Sequence, residues 1–274
     1  MNLVFLAASG HGKSYGAQAV AELNIGDYDH VVVLDREDEF RGLCSKQCGP
    51  APCKHWLAGT RECDRFGPDA WGQLIEQNGD VVIGRLKSDL DGEDWRGIVA
   101  DVVQAGRHRV EGTCLFVIDE AHFVAPQGPA YPEPIKGLAT TGRGEGNSAM
   151  WITQRPAEFD ATVLGNSTAR FVGGFTDSND IGQFRDIVPY PADVHVVGGH
   201  EVPGLPEELH APDAGAESVR KWTETTATGD ERVRDSEWIY SDDDGTQRRL
   251  RSAQHWDPEC EHVGASGKRI DVGL

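Results

Sequence analysis

Short runs of continuously apolar residues alternate along this chain with longer stretches whose apolar positions recur at helical spacing. Leu3-Val4-Phe5-Leu6, His30-Val31-Val32-Val33-Leu34-Asp35, Val81 to Leu86, Cys114-Leu115-Phe116-Val117-Ile118, Ala149 to Gln154 and Phe171 to Thr176 read as strands. Runs that are apolar at every position, rather than at every second one, belong to strands covered on both faces. Between them, helices are predicted up to Leu23, over Trp71 to Gln77, Asp91 to Ala105, Ile135 to Thr141, Ala161 to Ser167 and Asp177 to Val188. The clearest is Asp91 to Ala105, where Trp95, Ile98, Val99, Val102 and Val103 fall on one face behind an acidic first turn. This alternation predicts an α/β fold, a mostly parallel sheet with helices on both faces. Arg41 to Gly67 has no clean periodicity, and Phe123 to Pro134 is a loop rich in proline and glycine. Beyond Gly204 the pattern changes. Ala211 to Glu231 is polar and acidic, and Glu237-Trp238-Ile239-Tyr240, a turn at Ser241 to Gly245 and Thr246 to Leu250 predict a β-hairpin.

The first strand runs directly into Ala7-Ala8-Ser9-Gly10-His11-Gly12-Lys13-Ser14, and a helix follows. A glycine-rich loop ending in Lys-Ser between a strand and a helix is built to grip the phosphates of a nucleoside triphosphate. Glycines let successive N–H groups converge on one anion, Lys13 brings a point charge to the β- and γ-phosphates, and the Ser14 hydroxyl can ligate Mg²⁺. The predicted nucleotide-binding residues are Ser9, Gly10, His11, Gly12, Lys13, Ser14 and Tyr15. Ala7 stands where such loops usually have their first glycine, and alanine does not tolerate positive φ. The strand Cys114 to Ile118 ends in Asp119-Glu120. Two carboxylates at the carboxyl end of a buried strand suit a nucleotide hydrolase, with Asp119 in the Mg²⁺ shell and Glu120 activating the attacking water.

The chain has 274 residues and a formal net charge of −19, with arginine far outnumbering lysine. That length suits a large α/β domain over residues 1–204, with a cysteine-rich insert at 41–67 and an acidic extension over 205–274 that carries the hairpin. The acidic residues are dispersed, as expected of a soluble protein in a very salty cytoplasm, where screening removes most of their repulsion. Arg107-His108-Arg109 and Arg248-Arg249 with Arg251 are local basic clusters only. No stretch approaches the roughly 20 apolar residues that span a bilayer, and the amino-terminal run lacks a basic leader. A cytoplasmic protein with reduced cysteines is the expectation. Cys44, Cys48, Cys53 and Cys63 follow the spacing C-x₃-C-x₄-C-x-H-x₇-C. Clustered thiols in a reducing compartment favour Zn²⁺, with Cys44, Cys48, Cys53 and either Cys63 or His55 closing the site.

Further motifs carry a family likeness. Gly142-Arg143-Gly144-Glu145-Gly146 precedes Ile152-Thr153-Gln154-Arg155-Pro156, and Asp160 to Leu164 and Thr176 to Ile181 follow. Together with the phosphate loop and Asp119-Glu120, this order over residues 1–200 resembles the FtsK/HerA superfamily of P-loop, RecA-like DNA-pumping ATPases. The resemblance implies that Gln154 senses the γ-phosphate. It implies that Arg143 is an arginine finger entering a neighbouring subunit's site, with Arg155 and Arg170 as alternatives. It further implies a homo-oligomeric ring, usually a hexamer, with double-stranded DNA in its pore. The compact chain, beginning almost at the phosphate loop, is most similar to viral genome-packaging ATPases, which implies a capsid or portal partner. Plasmid, conjugative or HerA-like DNA processing, or an ATPase that drives protein or virion assembly, are the alternative readings.

Overall fold

A computed structural model describes residues 1–45, 51–225 and 231–262, so Cys48 lies outside the described residues. Its strands are β1 (Asn2–Leu6), β2 (His30–Asp35), β3 (Lys54–Ala58), β4 (Val81–Arg85), β5 (Cys114–Ile118), β6 (Ser148–Thr153), β7 (Ala169–Val172), β8 (Lys221–Thr225), β9 (Glu231–Asp242) and β10 (Gln247–Arg251). Its α-helices are α1 (Lys13–Leu23), α2 (Thr60–Arg65), α3 (Pro68–Asn78), α4 (Gly92–His108), α5 (Glu133–Thr140), α6 (Ala161–Gly165), α7 (Ser178–Phe184) and α8 (Ser252–His255).

The strands form one ten-stranded sheet in the order β10-β9-β7-β1-β6-β5-β2-β4-β3, with β8 paired to β9. From β7 to β3 all neighbours are parallel. Strand β6 is inserted between β1, which feeds the phosphate loop, and β5, which ends at Asp119. The carboxyl end of β6 therefore lies between the two halves of the predicted site. Alternate residues of each strand feed separate cores. Val4 and Leu6 join Trp71, Trp95, Val99, Leu138 and Phe184, which cover one face with α3, α4, α5 and α7. Leu3 and Phe5 join the alanines of α1 and, from the carboxyl-terminal region, Trp238 and Trp256. Helix α1 buries Ala17, Ala19 and Ala21 there, and a Cβ on Gly16 would meet the Trp256 ring at 2.6 Å. The start of α4 is fixed by Asp91, whose carboxylate accepts the N–H groups of Glu93 and Asp94 at 2.7 and 2.9 Å.

Two regions differ from the sequence expectation. Residues 41–67 hold an edge strand, β3, and the helix α2 rather than an irregular insert. The predicted hairpin forms as β9 and β10, but it is the continuation of the main sheet, not an appendage. β9 pairs antiparallel to β7, and Trp238 is fully buried with its ring 5.0 Å from Phe5. The reason is physical: without β9, the edge of β7 and the apolar face of Phe5 and Phe171 would be open to water.

Candidate active site

The phosphate loop leaves β1 without strain at Ala7. Besides glycines, the described residues with positive φ are Asp38 and Glu120, so Ala7 needs no left-handed conformation. Its N–H lies 3.4 Å from the Thr153 carbonyl, continuing the β1–β6 ladder. Gly10 (φ 69°) and Gly12 (φ 86°) supply the left-handed turns that the loop does require. The His11 side chain does not face the nucleotide cavity. It turns inward, 98 % buried, accepts the Gly174 N–H at Nε2 (3.0 Å), and packs edge-on against Trp238. Ser236 donates its hydroxyl to the His11 carbonyl at 2.8 Å, so the loop is anchored from β7 and β9.

At the carboxyl ends of β5 and β2 the carboxylates of Asp119, Glu120, Asp35, Glu37 and Glu39 converge, with Gln154 beside them at the end of β6. Asp119 is buried, and its Oδ1 has no hydrogen-bond partner. Burial raises its pKa well above the carboxylate range, reinforced by the charges of Asp35, Glu120 and Glu39 and opposed by Lys13. Glu120 follows in the left-handed region (φ 46°, ψ 52°), a conformation costing a non-glycine residue about 1–3 kcal/mol. Gln154, at the end of β6, donates its Nε2 hydrogen to Glu120 Oε1 at 2.9 Å. Glu120 Oε2 is buried without a hydrogen bond, although His122 Nδ1 is 3.3 Å away, because that nitrogen pairs with Thr153 Oγ1 at 2.9 Å. Burial holds His122 neutral, with a pKa lowered to about 4.

The turn after β2 completes the arrangement. The buried Asp35 carboxylate accepts the N–H groups of Asp38, Glu39 and Phe40 at 2.8, 3.0 and 3.0 Å. This shapes Arg36 to Phe40 so that Glu37 and Glu39 face the phosphate loop, and the Ser14 hydroxyl donates to Glu39. Glu39 belongs to the charged stretch Asp35 to Phe40 closing β2, which the sequence places at the nucleotide edge of the sheet; its pairing with Ser14 is what the sequence does not give. Arg36 likewise lies beside this cluster, its guanidinium 3.7 Å over the Phe123 ring.

These groups open into a cavity of about 890 Å³. Its lining includes Gly10, Gly12, Lys13, Ser14, Glu39, Glu120 and Gln154, together with Tyr15, Arg232, Arg234 and His262. Size and polarity fit a nucleoside triphosphate. Solved structures agree with the architecture. The genome packaging NTPase B204 from Sulfolobus turreted icosahedral virus 2, in complex with ATP-gammaS, is similar at a TM-score of 0.54 and 12% identity, with 94% of this chain and 96% of that one covered. B204, the DNA-packaging ATPase from Sulfolobus Turreted Icosahedral Virus, gives 0.53 and 12%, covering 94% and 97%. The chain has the P-loop ATPase fold. No protein-family model and no curated protein sequence matches it.

Within this P-loop fold the remaining candidates separate. Arg143 is exposed and lies at the amino end of the sheet: the pKa of the Met1 ammonium group is lowered by that group's burial and, after it, by the Arg143 charge. The five residues of β1, roughly 16 Å at strand rise, separate that end from the phosphate loop. Arg107 grips the loop that carries Arg143, donating to Glu145 at 2.7 Å from both Nε and Nη2 and to Thr141 at 3.1 Å. Arg170 is committed to structure, held by the Ser167 carbonyl and Asp243. Arg155 is exposed at the rim of its own chain's cavity. The predicted zinc set is not brought together as expected. Cys63 turns to Asp94 from α2, and His55 projects from β3, with Arg41 and Asp38 among the charges that act on it. Among the described residues no His, Cys, Asp and Glu side chains form a ready metal-holding group of three or more. No described helix is long and apolar enough to cross a membrane.

The buried histidines predict acid sensitivity. Burial lowers His11 to about 4 and His195 to about 3; His195 donates Nδ1–H to the Gly173 carbonyl and accepts from the Tyr190 hydroxyl. The unfolded chain takes up these protons near pH 6.5 and the folded chain does not. Stability is thus full above pH 6.5 and falls as pH drops from 6.5 toward 4, by roughly 1.4 kcal/mol per unit for each histidine. His122, lowered to about 4, adds to this slope, and the buried carboxylates Asp119 and Asp35, whose pKa values are raised, oppose it. The readout is therefore the difference between variants. In chemical denaturation from pH 6.5 to 5, the slope of His11→Gln should differ from wild type by the His11 share, roughly 1.4 kcal/mol per unit. An unchanged slope would remove His11 from the explanation.

Proposed function

We propose that this chain is an ATP-hydrolysing ring motor that translocates double-stranded DNA, packaging a viral genome into its capsid. The observation that carries the reading is the carboxyl-edge constellation. A left-handed Glu120 is tied to Gln154 and stands beside the buried Asp119, opposite a Lys13–Ser14 phosphate loop. Backbone N–H groups of residues 9–14 and the Lys13 ammonium group would hold the phosphates. Ser14 and Asp119 suit Mg²⁺: oxygen donors for a hard cation, with Asp119 Oδ1 buried and still unpartnered. When bound, Mg²⁺ neutralises charge on the β- and γ-phosphates. Glu120 orients the attacking water and takes its proton. Gln154 holds the Glu120 carboxylate and presents its own amide to the γ-phosphate position. Glu39 accepts the Ser14 hydroxyl before nucleotide enters, so binding exchanges that partner.

Support for DNA packaging comes from the B204 likeness over nearly the whole chain, since those proteins are described as genome-packaging and DNA-packaging enzymes. Support for a ring comes from Arg143, which cannot reach its own chain's phosphates but is exposed for a neighbour's. Contacts to DNA in the pore would be mainly to phosphates and hence largely independent of sequence. With a net charge of −19 and salt-weakened phosphate contacts, enclosure by the ring rather than affinity keeps the motor on DNA. A capsid or portal protein is the docking partner in this reading. A triplex-displacement assay tests it. The protein should strip a third strand from duplex DNA only with hydrolysable ATP, and Gln154→Ala should lose at least tenfold in rate. ATP turnover without strand displacement would contradict translocation.

A further inference from the structure

The phosphate chemistry assigned above leaves part of the cavity lining unused. Phosphate-loop N–H groups cradle the α- and β-phosphates and Lys13 reaches the β- and γ-phosphates, so ribose and base extend away from Glu120 and Gln154, past the first residues of α1. Tyr15, the residue after Ser14, lines the cavity, and so does His262 from the carboxyl-terminal region. Their ring centroids are 5.9 Å apart, with the rings at 76° to one another. Both side chains are anchored. The Tyr15 hydroxyl donates to the Trp256 carbonyl at 3.1 Å, and His262 Nδ1 pairs with Gln18 Oε1 at 3.3 Å. Gln18 is fully buried in α1, and the orientation of its amide is fixed: its Nε2 faces the Cys260 carbonyl at 3.2 Å, and a carbonyl can only accept. Oε1 therefore takes its hydrogen from His262 Nδ1. Burial, and after it the Arg232 charge, lowers the His262 pKa, so the imidazole is neutral and carries its one hydrogen on Nδ1. Nε2 is left as a lone-pair acceptor on a ring that lines the cavity.

We propose that His262 reads the nucleobase, its Nε2 accepting a hydrogen from the exocyclic amine of adenine while the Tyr15 ring gives the base an apolar platform. The inference rests on the nucleotide-binding reading of the cavity and names what would select the base there. Adenine presents an amine where guanine presents the O6 carbonyl. Against an imidazole whose only hydrogen is on Nδ1, guanine brings acceptor to acceptor, and neither lone pair finds a hydrogen. The recognition is assembled from both ends of the chain. Gln18 sets the tautomer from α1, and residues 256–262 bring the imidazole. Glu22 ties that segment to the same helix by accepting the Glu259 N–H at 2.7 Å. Gly42 leaves room for the Gln18 amide, since a Cβ there would meet Gln18 Oε1 at 2.9 Å.

Displacement of a ribose-labelled fluorescent ATP analogue from the full chain tests this without relying on hydrolysis. The wild type should bind ATP about tenfold more tightly than GTP, and about tenfold more tightly than purine ribonucleoside triphosphate, which lacks the exocyclic amine. His262→Ala should bring ATP and GTP to within about twofold of each other, mainly by weakening ATP. The amine-free triphosphate probes the unaltered protein, so that arm does not depend on how a variant folds. Equal binding of ATP and the amine-free triphosphate by the wild type would overturn the proposal and leave the phosphate-loop reading standing. So would a preference for ATP over GTP that survives unchanged in His262→Ala. If no triphosphate binds, and Lys13→Ala behaves as the wild type does, the nucleotide reading falls and this inference falls with it.

Discussion

Glu120→Gln should lower ATP turnover by about two to four orders of magnitude while ATP still binds. The substitution is nearly isosteric, and the new amide oxygen can still accept the Gln154 hydrogen that now reaches Glu120 Oε1. What disappears is the basicity needed to take a proton from water. Binding rests on Lys13, Ser14 and the loop backbone, which the change does not touch. Burial and the neighbouring Glu39 and Glu37 charges raise the Glu120 pKa, with Lys13 and Arg36 opposing them. The fold therefore disfavours the ionised form, and the glutamine variant should melt no lower than the wild type. Turnover by phosphate release, beside Kd for a fluorescent ATP analogue, checks both statements. A variant that loses binding and turnover together would mean that Glu120 shapes the pocket rather than acting on water.

Arg143→Ala should cost about a thousandfold or more in turnover, the range for an arginine that offsets charge on a transferring phosphoryl group. Its position makes the prediction sharper than a simple loss. Arg143 lies near Met1 at the amino end of the sheet, opposite the end that carries the phosphate loop, and Arg107 with Glu145 holds its loop in place. Activity should reappear when Arg143→Ala chains are mixed with Glu120→Gln chains. In such mixed rings some interfaces pair an intact Glu120 with an intact Arg143. Arg155→Ala, at the cavity of its own chain, cannot be rescued in this way if it acts there. Failure of mixing to restore turnover, with assembly shown intact by light scattering, would remove Arg143 from the neighbouring site.

The nucleotide end of this fold was legible because its chemistry is local in sequence. A strand, a glycine loop and a helix are contiguous from Asn2 to Leu23, and Asp119-Glu120 directly follow a buried apolar run. Features set by strand order were not legible. That β6 slips between β1 and β5, bringing Gln154 to Glu120, is a consequence of topology. So is the placement of Arg143 at the far end. His11 sits at a position where such loops often face phosphate, but its ring is claimed by Gly174, just past β7, and by Trp238 on β9, both more than 150 residues away. Strand β3 escaped notice because it is an edge strand with Lys54, His55 and Leu57 exposed, so it lacks the apolar run of its buried neighbours. The hairpin was read correctly, but nothing local says that its outer edge meets β7. The cysteines show the same limit. Spacing in the chain favoured Cys63, while folding turns it to Asp94 of α4.

The proposal that this chain is a motor acting on duplex DNA is tested most directly by hydrolysis measured with and without DNA. Steady-state phosphate release should be followed in molar KCl and at lower salt, with Glu120→Gln as the blank, in the absence and presence of linear double-stranded DNA. The account predicts severalfold stimulation by DNA, absent in the blank and weakening as salt screens the phosphate contacts. Robust hydrolysis that ignores DNA at every salt concentration would contradict it.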